Sequence, residues 1–588
     1  LVLIVRALRP LVVVSLLGSW VLAACDGGGM APDAGADSGM FDAYLEPPLE
    51  PDLYCPGMPG CATGEGTLLA GAAAVEITPD LGAAETYTDL DGDATWDAED
   101  EPFTDRNGNG RFDGVWIAGF GVARAAQGVM NPQWARALVL RAGETTIAFV
   151  ALDLIGFFLD EIDLIRDAVR DAELDVDYVV VGSTHVHQAR DTIGIWGPSL
   201  SETGIDPAYQ ALVRERSVQA VRDALTALRP ANVQYASFLL RDMEPTGDLA
   251  RWVGDNRDPI IIDDEIRILR FVEAGTTTPE PGSGTTIATL FNFASHPEYQ
   301  GSRNPLLSSD WPHWTRVAIE EGIAAGPDGT AVPGIGGTAV FFNGALGVQI
   351  GPNGLRVRDW DGTPVVGRDA IAETVGTQLG YFVLRALRGE GTITEETASL
   401  GLRRARFFVE VQNRRYHIAG QQMLFRRRLY HYDETRPIRE PFNLPDVLTE
   451  IAVIDVGRAT MLTVPGELDP AEFVGGYAPP CEWTPGGCEA LIDEEDENPP
   501  DLTRAPEGPF LRDRLAARRP DATQHWVLGC TNDFLGYFIP DFDYELASVL
   551  PYIAEAPGDH YEETNSLGPL AWPRIRGKME ELIAWAPR

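Results

Sequence analysis

Side chains able to do metal chemistry are spread over four short segments of this 588-residue chain. His185 and His187 close Gly182-Ser183-Thr184-His185-Val186-His187, directly after the apolar run that begins at Tyr178. Alternate residues of an extended chain point the same way, so both imidazoles can face one pocket. His296 lies in Asn292-Phe293-Ala294-Ser295-His296-Pro297, again at the end of an apolar run. Glu467 follows Val464-Pro465-Gly466, and Tyr537 ends Asn532-Asp533-Phe534-Leu535-Gly536-Tyr537. Imidazole, carboxylate and phenol can each bind a metal ion. Taken singly, each residue also has an ordinary reading: a histidine satisfied by a hydrogen bond, a turn carboxylate, a core tyrosine.

A second set of oxygen ligands occupies residues 89–113. Asp89, Asp91 and Asp93 form one copy, and Asp105, Asn107, Asn109 and Asp113 form another. Oxygen side chains at alternate positions, with a glycine for the tight turn, are what a calcium loop requires. The second copy has that glycine, Gly110, whereas the first has Ala94 and matches less well. Neither has flanking helices or the closing bidentate glutamate of an EF-hand. A solvated acidic loop is the alternative. With calcium the role is structural, because packed carboxylates repel unless a cation lies between them.

The elements that must position these groups alternate strand and helix. Apolar runs predict buried strands over 145–154, 178–182, 285–293 and 339–342, with strand-like runs over 451–464 and at 525–529. Helical periodicity covers 161–172, 208–228 and 369–387, with Pro207 suited to a first helical turn. The chemistry-bearing residues therefore sit on loops after strands, as in α/β sites. Residues 481–501 are acidic and proline-rich and are expected to form a surface loop.

At the N-terminus, Arg6 and Arg9 precede an apolar run from Leu11 to Val21, which leads to Leu22-Ala23-Ala24-Cys25. This reads as a lipoprotein-type export signal over residues 1–25, with Cys25 the lipidated residue, and predicts an exported protein anchored to a bacterial membrane or cell surface. Residues 26–66, rich in Gly, Ala, Asp and Pro, read as a flexible tether, and residues 67–588 as the folded domain. In an oxidising compartment Cys55/Cys61 and Cys481/Cys488 are natural local disulfides, leaving Cys530 over. A net charge of −42 argues against nucleic acid as a partner and predicts repulsion from anionic lipid surfaces.

Taken together and in order, the four segments resemble the neutral ceramidase family. That family carries Thr-His-x-His, Asn-Phe-Ala-x-His-Pro, Pro-Gly-Glu and a tyrosine segment followed by Tyr-Glu. Ile77-Thr78-Pro79, Val150-Ala151-Leu152-Asp153 and Ser308-Ser309-Asp310-Trp311-Pro312 are similar to further family landmarks, so the resemblance spans residues 68–575. It implies an α/β catalytic domain of mixed β-sheets covered by helices, with polar surface insertions. It implies zinc held by His185, His296, Glu467 and Tyr537. It further implies that His187 and Tyr561 contact the reacting carbonyl and that Arg257, in Asn256-Arg257-Asp258-Pro259, binds substrate. The sequence departs from the family at Gln188-Ala189-Arg190, at Gly347-Val348-Gln349-Ile350-Gly351-Pro352, where the family's Asp and Ser are absent, and at Glu563-Thr564, where the family has small residues.

The activity so implied is hydrolysis of the amide bond of an N-acyl lipid such as ceramide by zinc-activated water. Hydrolysis of another amide or ester on the same fold, or a non-catalytic calcium-stabilised surface lipoprotein, are the alternatives.

Overall fold

The computed structural model describes residues 49, 52–82, 84–243, 252–275, 284–351, 354–438, 443–493 and 495–584. Cys25, the export signal and most of the expected tether lie outside the described residues.

The first part of the chain runs β1 (Leu53–Cys55), β2 (Leu69–Glu76), β3 (Trp134–Ala142), β4 (Thr145–Leu152), α1 (Leu159–Asp171), β5 (Tyr178–Ser183) and α2 (Pro207–Thr226). It continues through β6 (Arg229–Leu239), β7 (Glu265–Glu273), β8 (Thr286–Phe293), α3 (Trp311–Glu320), β9 (Thr338–Asn343) and α4 (Arg368–Leu387). The last part holds β10 (Leu400–Glu410), α5 (Arg414–Gln421), β11 (Asp446–Val456), β12 (Ala459–Thr463), β13 (Glu467–Leu468), β14 (Gln524–Leu528), β15 (Tyr537–Phe538), α6 (Tyr561–Thr564) and α7 (Ala571–Ala584).

The larger sheet has the strand order β9-β8-β7-β6-β2-β3-β4-β5, and the smaller has β1-β10-β11-β12-β14. Both are mixed: β4/β5, β8/β9 and β12/β14 pair parallel, while their neighbours pair antiparallel. The inner faces pack on each other through Phe149, Val180, Leu269 and Phe342 from the larger sheet and Leu402, Ile454, Met461 and Trp526 from the smaller. Helices α1 and α2 cover one part of the outer face of the larger sheet, α3 and α4 another. Helix α7 covers the smaller sheet. The result is an α/β fold of four layers, helix, sheet, sheet and helix. Strands β4 and β8 are buried along their whole length, which is why they read as continuous apolar runs.

Several strands carry no such signal. In β7, Arg267 and Arg270 interrupt the pattern, yet both are buried: Arg267 pairs with Asp263 and Glu265, and Arg270 donates to Gln234 and Thr286. The expected tether also needs correction at its end. Leu53 to Cys55 pairs antiparallel with Arg404 to Leu402, and a disulfide joins Cys55 to Cys61 inside the core. Backbone pairing thus recruits a segment whose composition alone suggests a linker. The 481–501 segment is partly docked as well. A disulfide joins Cys481 to Cys488, Trp483 is buried, and its carbonyl accepts from the Ile262 amide at 2.9 Å.

Candidate metal centre

His185 and His187 lie just past the end of β5, and His296 just past β8. Strands β5 and β9 are the two ends of the larger sheet, but the Asn343 side chain at the end of β9 ties these loops together. Its Nδ2 donates to the carbonyls of Thr184 (3.2 Å) and Ser295 (2.9 Å), the residues directly before His185 and His296. Its Oδ1 accepts from the Ser295 amide at 3.2 Å. Sequence reading missed Asn343, because nothing local marks an asparagine whose partners are far away in the chain. The two-residue spacing also works differently from the extended-chain expectation. His185 has φ +67°, a left-handed conformation unusual for a non-glycine residue, after β5 has ended at Ser183. That turn, rather than strand alternation, brings His185 Nε2 within 3.3 Å of His187 Nε2.

Glu467 reaches the same spot from β13, which follows β12 of the smaller sheet. Its Oε2 lies 3.0 Å from His296 Nε2 and 3.3 Å from His185 Nε2. The outer ring nitrogens are engaged: His185 Nδ1 donates to Ile155 O (2.7 Å) and His296 Nδ1 to Gln349 O (3.0 Å). With Nδ1 donating outward, the inward Nε2 of each ring faces Glu467 and can either donate a proton to the carboxylate or, once that proton has left, bind a cation. Two ring nitrogens and a carboxylate oxygen then face one another in a buried space. They need a proton or a cation between them, and their separations match the edges of a tetrahedron with bonds of about 2.0–2.1 Å, roughly 3.3 Å. Burial would push the Glu467 carboxyl up, but His185 and His296 outweigh it and hold it at about 2. His187 is pushed well below its ordinary value by burial and by His185 and His296, so it is neutral. His185, His187 and His296 form a buried group able to hold a metal ion.

Tyr537 is delivered by β15, which pairs parallel with β13 in the register Glu467↔Tyr537. Its hydroxyl lies 3.2 Å from that of Tyr561. Asn532 and Asp533, earlier in the same segment, anchor it. Asn532 Nδ2 donates to the Tyr178 hydroxyl at 2.8 Å, and Asp533 accepts from Arg427, from Thr449 Oγ1 and from the Leu159 amide. Phe534 packs its ring against His185, with centroids 5.5 Å apart. Beyond Phe534 lies a small, mostly apolar cavity lined by Phe158, Ile193, Tyr416, Phe425 and Leu429 among others, reaching Gly536 beside Tyr537.

Arg257 has a different place from the one the resemblance implies. Its buried guanidinium is taken up by Asp543, Glu562 and Glu563. Glu563 is one of the departures from the family pattern, and it shares the arginine with Asp543 and Glu562. Arg257 instead holds the segment that carries Tyr561. A carboxylate that sequence reading passed over, Glu298, stands with Oε2 at 3.5 Å from His187 Nδ1.

In the acidic loops, both copies fold alike. Asp89 accepts from the amides of Gly92 (2.6 Å) and Ala94 (3.0 Å), and Asp105 from those of Gly108 (2.6 Å) and Gly110 (2.9 Å). Ala94 takes the positive φ that Gly110 takes, +65° against +74°. Each copy has a buried glutamate clasp absent from the sequence pattern: Glu101 accepts from Leu90 and Asp97, and Glu85 from Arg106 and Asp113. In the first copy Asp89, Asp91 and Glu101 come together as a carboxylate group able to hold an ion. In the second copy the amides of Asn107 and Asn109 donate to Asp113 at 2.7 Å.

Comparison with protein-family models finds no match, and comparison with curated proteins finds none either. Among solved structures, neutral ceramidase from Pseudomonas aeruginosa is similar, at 14% identity and a TM-score of 0.56, covering 89% of this chain and 77% of that one. A ceramidase complexed with C2 is similar at 14% identity and a TM-score of 0.56, covering 89% of this chain and 78% of that one. The chain therefore has the neutral ceramidase fold, as a divergent structural relative.

Proposed function

We propose that this protein is a zinc-dependent hydrolase that cleaves the amide bond of an N-acyl lipid such as a ceramide. The observation that carries this reading is the buried convergence of His185 Nε2, His296 Nε2 and Glu467 Oε2, with the carboxylate oxygen 3.3 and 3.0 Å from the two ring nitrogens. Zinc held by these three residues, with Tyr537 alongside, supplies a Lewis acid and a water of lowered pKa. Burial and the adjacent Glu562 push the Tyr561 hydroxyl well above its ordinary range, so it stays protonated. It can then donate to the substrate carbonyl oxygen as charge grows there, with neutral His187 beside His185. The water oxygen bonds to the acyl carbon, the C–N bond breaks, and the released amine takes up the hydrogen. The small apolar cavity behind Phe534 reaches Gly536, next to Tyr537, and supports an apolar group on the substrate. The likeness in fold to a ceramidase complexed with C2 supports a lipid amide.

Zinc analysis together with turnover of a panel of N-acyl amides tests the proposal. One zinc per chain and zinc-dependent release of fatty acid from ceramide are expected. A protein that binds no zinc would be the non-catalytic lipoprotein instead. Tyr561→Phe should lower kcat by about a hundredfold while leaving zinc content unchanged, the size typical of losing one oxyanion donor. One observation favours a different amide or an ester as substrate. In the loop from Gly347 the Gln349 carbonyl holds His296 and the Gln349 side chain donates to Ile261 O, so this loop serves the ligand rather than the substrate. The same panel separates the two.

We further propose that calcium binds at Asp89, Asp91 and Glu101, and that the protein is exported and anchored through Cys25. Added calcium should raise the thermal midpoint, and chelation should lower it. At calcium a hundredfold above its dissociation constant the gain is about 2.7 kcal/mol. Asp89→Asn with Asp91→Asn should remove the response.

A further inference from the structure

We propose that the surface formed by α5, the turn that follows it and the loops at its two ends docks on an anionic phospholipid bilayer. The bulk charge of −42 points the other way. A bilayer, however, senses only charges within a Debye length, about 8–10 Å at ordinary ionic strength. From Val411 to Tyr432 the chain has five arginines and no Asp or Glu, in a protein whose acidic residues outnumber its basic ones 88 to 46. Arg427 is spent on Asp533, but Arg414 and Arg426 are exposed.

Exposed apolar side chains lie on the same helix and on loops tied to its ends. Six of the fourteen exposed large hydrophobic side chains among the described residues, Leu200, Ile418, Met423, Val549, Leu550 and Ile553, lie on α5, its turn and two adjoining loops, at 49–76% exposure. The loop with Leu200 is tied to the turn after α5, where Thr203 Oγ1 donates to Leu424 O at 2.9 Å. The loop with Val549, Leu550 and Ile553 is tied to the start of α5 through Ser566. Ser566 O accepts from the helix cap Asn413 at 2.7 Å, and Ser566 Oγ lies 2.9 Å from the Tyr544 hydroxyl. That loop is uncharged from Leu546 to Ala554, with Glu545 and Glu555 bracketing it. Exposed aliphatic side chains at loop tips beside arginines fit the acyl boundary and headgroup layer of an anionic leaflet. The underside of α5 also lines the apolar cavity through Tyr416 and Gly420, so docking sets a lipid source against the cavity wall. This surface goes beyond the proposed amidase activity, and its test reads binding alone.

The experiment is flotation of the full chain carrying Cys25→Ser, which cannot hold an acyl anchor, with phosphatidylcholine vesicles and with vesicles that also contain phosphatidylglycerol. Binding is expected on the latter and should weaken as salt is raised. Arg414→Glu with Arg426→Glu, and separately Val549→Ser with Leu550→Ser, should each reduce affinity on the order of tenfold. Leu164→Ser on α1 should change nothing. Absent binding, equal binding to both vesicles, or unchanged binding of either double variant overturns the proposal. Where a variant does not fold, the parent's preference between the two vesicles decides alone.

Discussion

Glu467→Ala is expected to release the metal and to lower amide hydrolysis by about a thousandfold or more, the largest effect of any single substitution here. Its Oε2 lies within 3.3 Å of both His185 Nε2 and His296 Nε2. It is also the only negative charge of that trio, and it sits almost wholly buried. Without it, a divalent ion would be held in a low-dielectric site by neutral imidazoles and a phenol whose hydroxyl burial and Glu467 push well above its ordinary range. Glu467→Gln separates charge from shape. The amide can donate to one imidazole, so the metal-free variant should match or exceed the parent in thermal stability while still failing to bind zinc. Metal content by atomic emission, melting with and without zinc, and release of fatty acid provide the readouts. A Glu467→Ala protein that keeps stoichiometric zinc and parental turnover would remove the carboxylate from the centre.

The second large effect falls outside the centre. Glu450→Gln should cost about 3–5 kcal/mol of stability, the range for breaking a buried ion pair by removing one partner. Glu450, on β11, is completely buried and accepts from Arg166 of α1 (2.8 Å), Arg406 of β10 (2.8 Å) and the Tyr178 hydroxyl of β5 (2.5 Å). It clasps the smaller sheet to the strand that leads into His185. Burial alone would raise its carboxyl, but Arg166, Arg406 and Arg404 outweigh that and hold it at about 2. The folded value lies below the unfolded value of about 4.3. The contribution is therefore complete above the unfolded value and is lost as pH falls from there through the folded one. Urea denaturation at neutral and acidic pH checks both points. The parent should lose stability across that acidic window, and Glu450→Gln should show a shallower loss from a lower starting stability. A neutral-pH change below about 0.5 kcal/mol, the scatter of ordinary surface substitutions, would mean the clasp contributes nothing.

Much of this was legible in the chain. Strands β4, β5, β8 and β9 are short apolar runs buried on both faces, and such runs announce themselves without any tertiary knowledge. Helices α1, α2 and α4 follow from periodicity, with the Asp206 side chain and Pro207 marking the start of α2. The histidines, Glu467 and Tyr537 had ordinary readings one by one, and were singled out because their motifs and order resemble one family. Other features were decided only when distant segments met. Arginines at 267 and 270 look like surface until Asp263, Glu265, Gln234 and Thr286 are seen to satisfy them. Arg257 looks available until Glu562 and Glu563, some three hundred residues on, take its charge. Asn343 and Glu85 looked ordinary, and Ala94 a weaker match than glycine, until the fold gave them their partners and their backbone angle. The division has a physical cause. Apolar burial and helix capping depend on neighbours within a turn or a strand. A buried polar group is tolerable only with a partner, and that partner can come from anywhere in the chain.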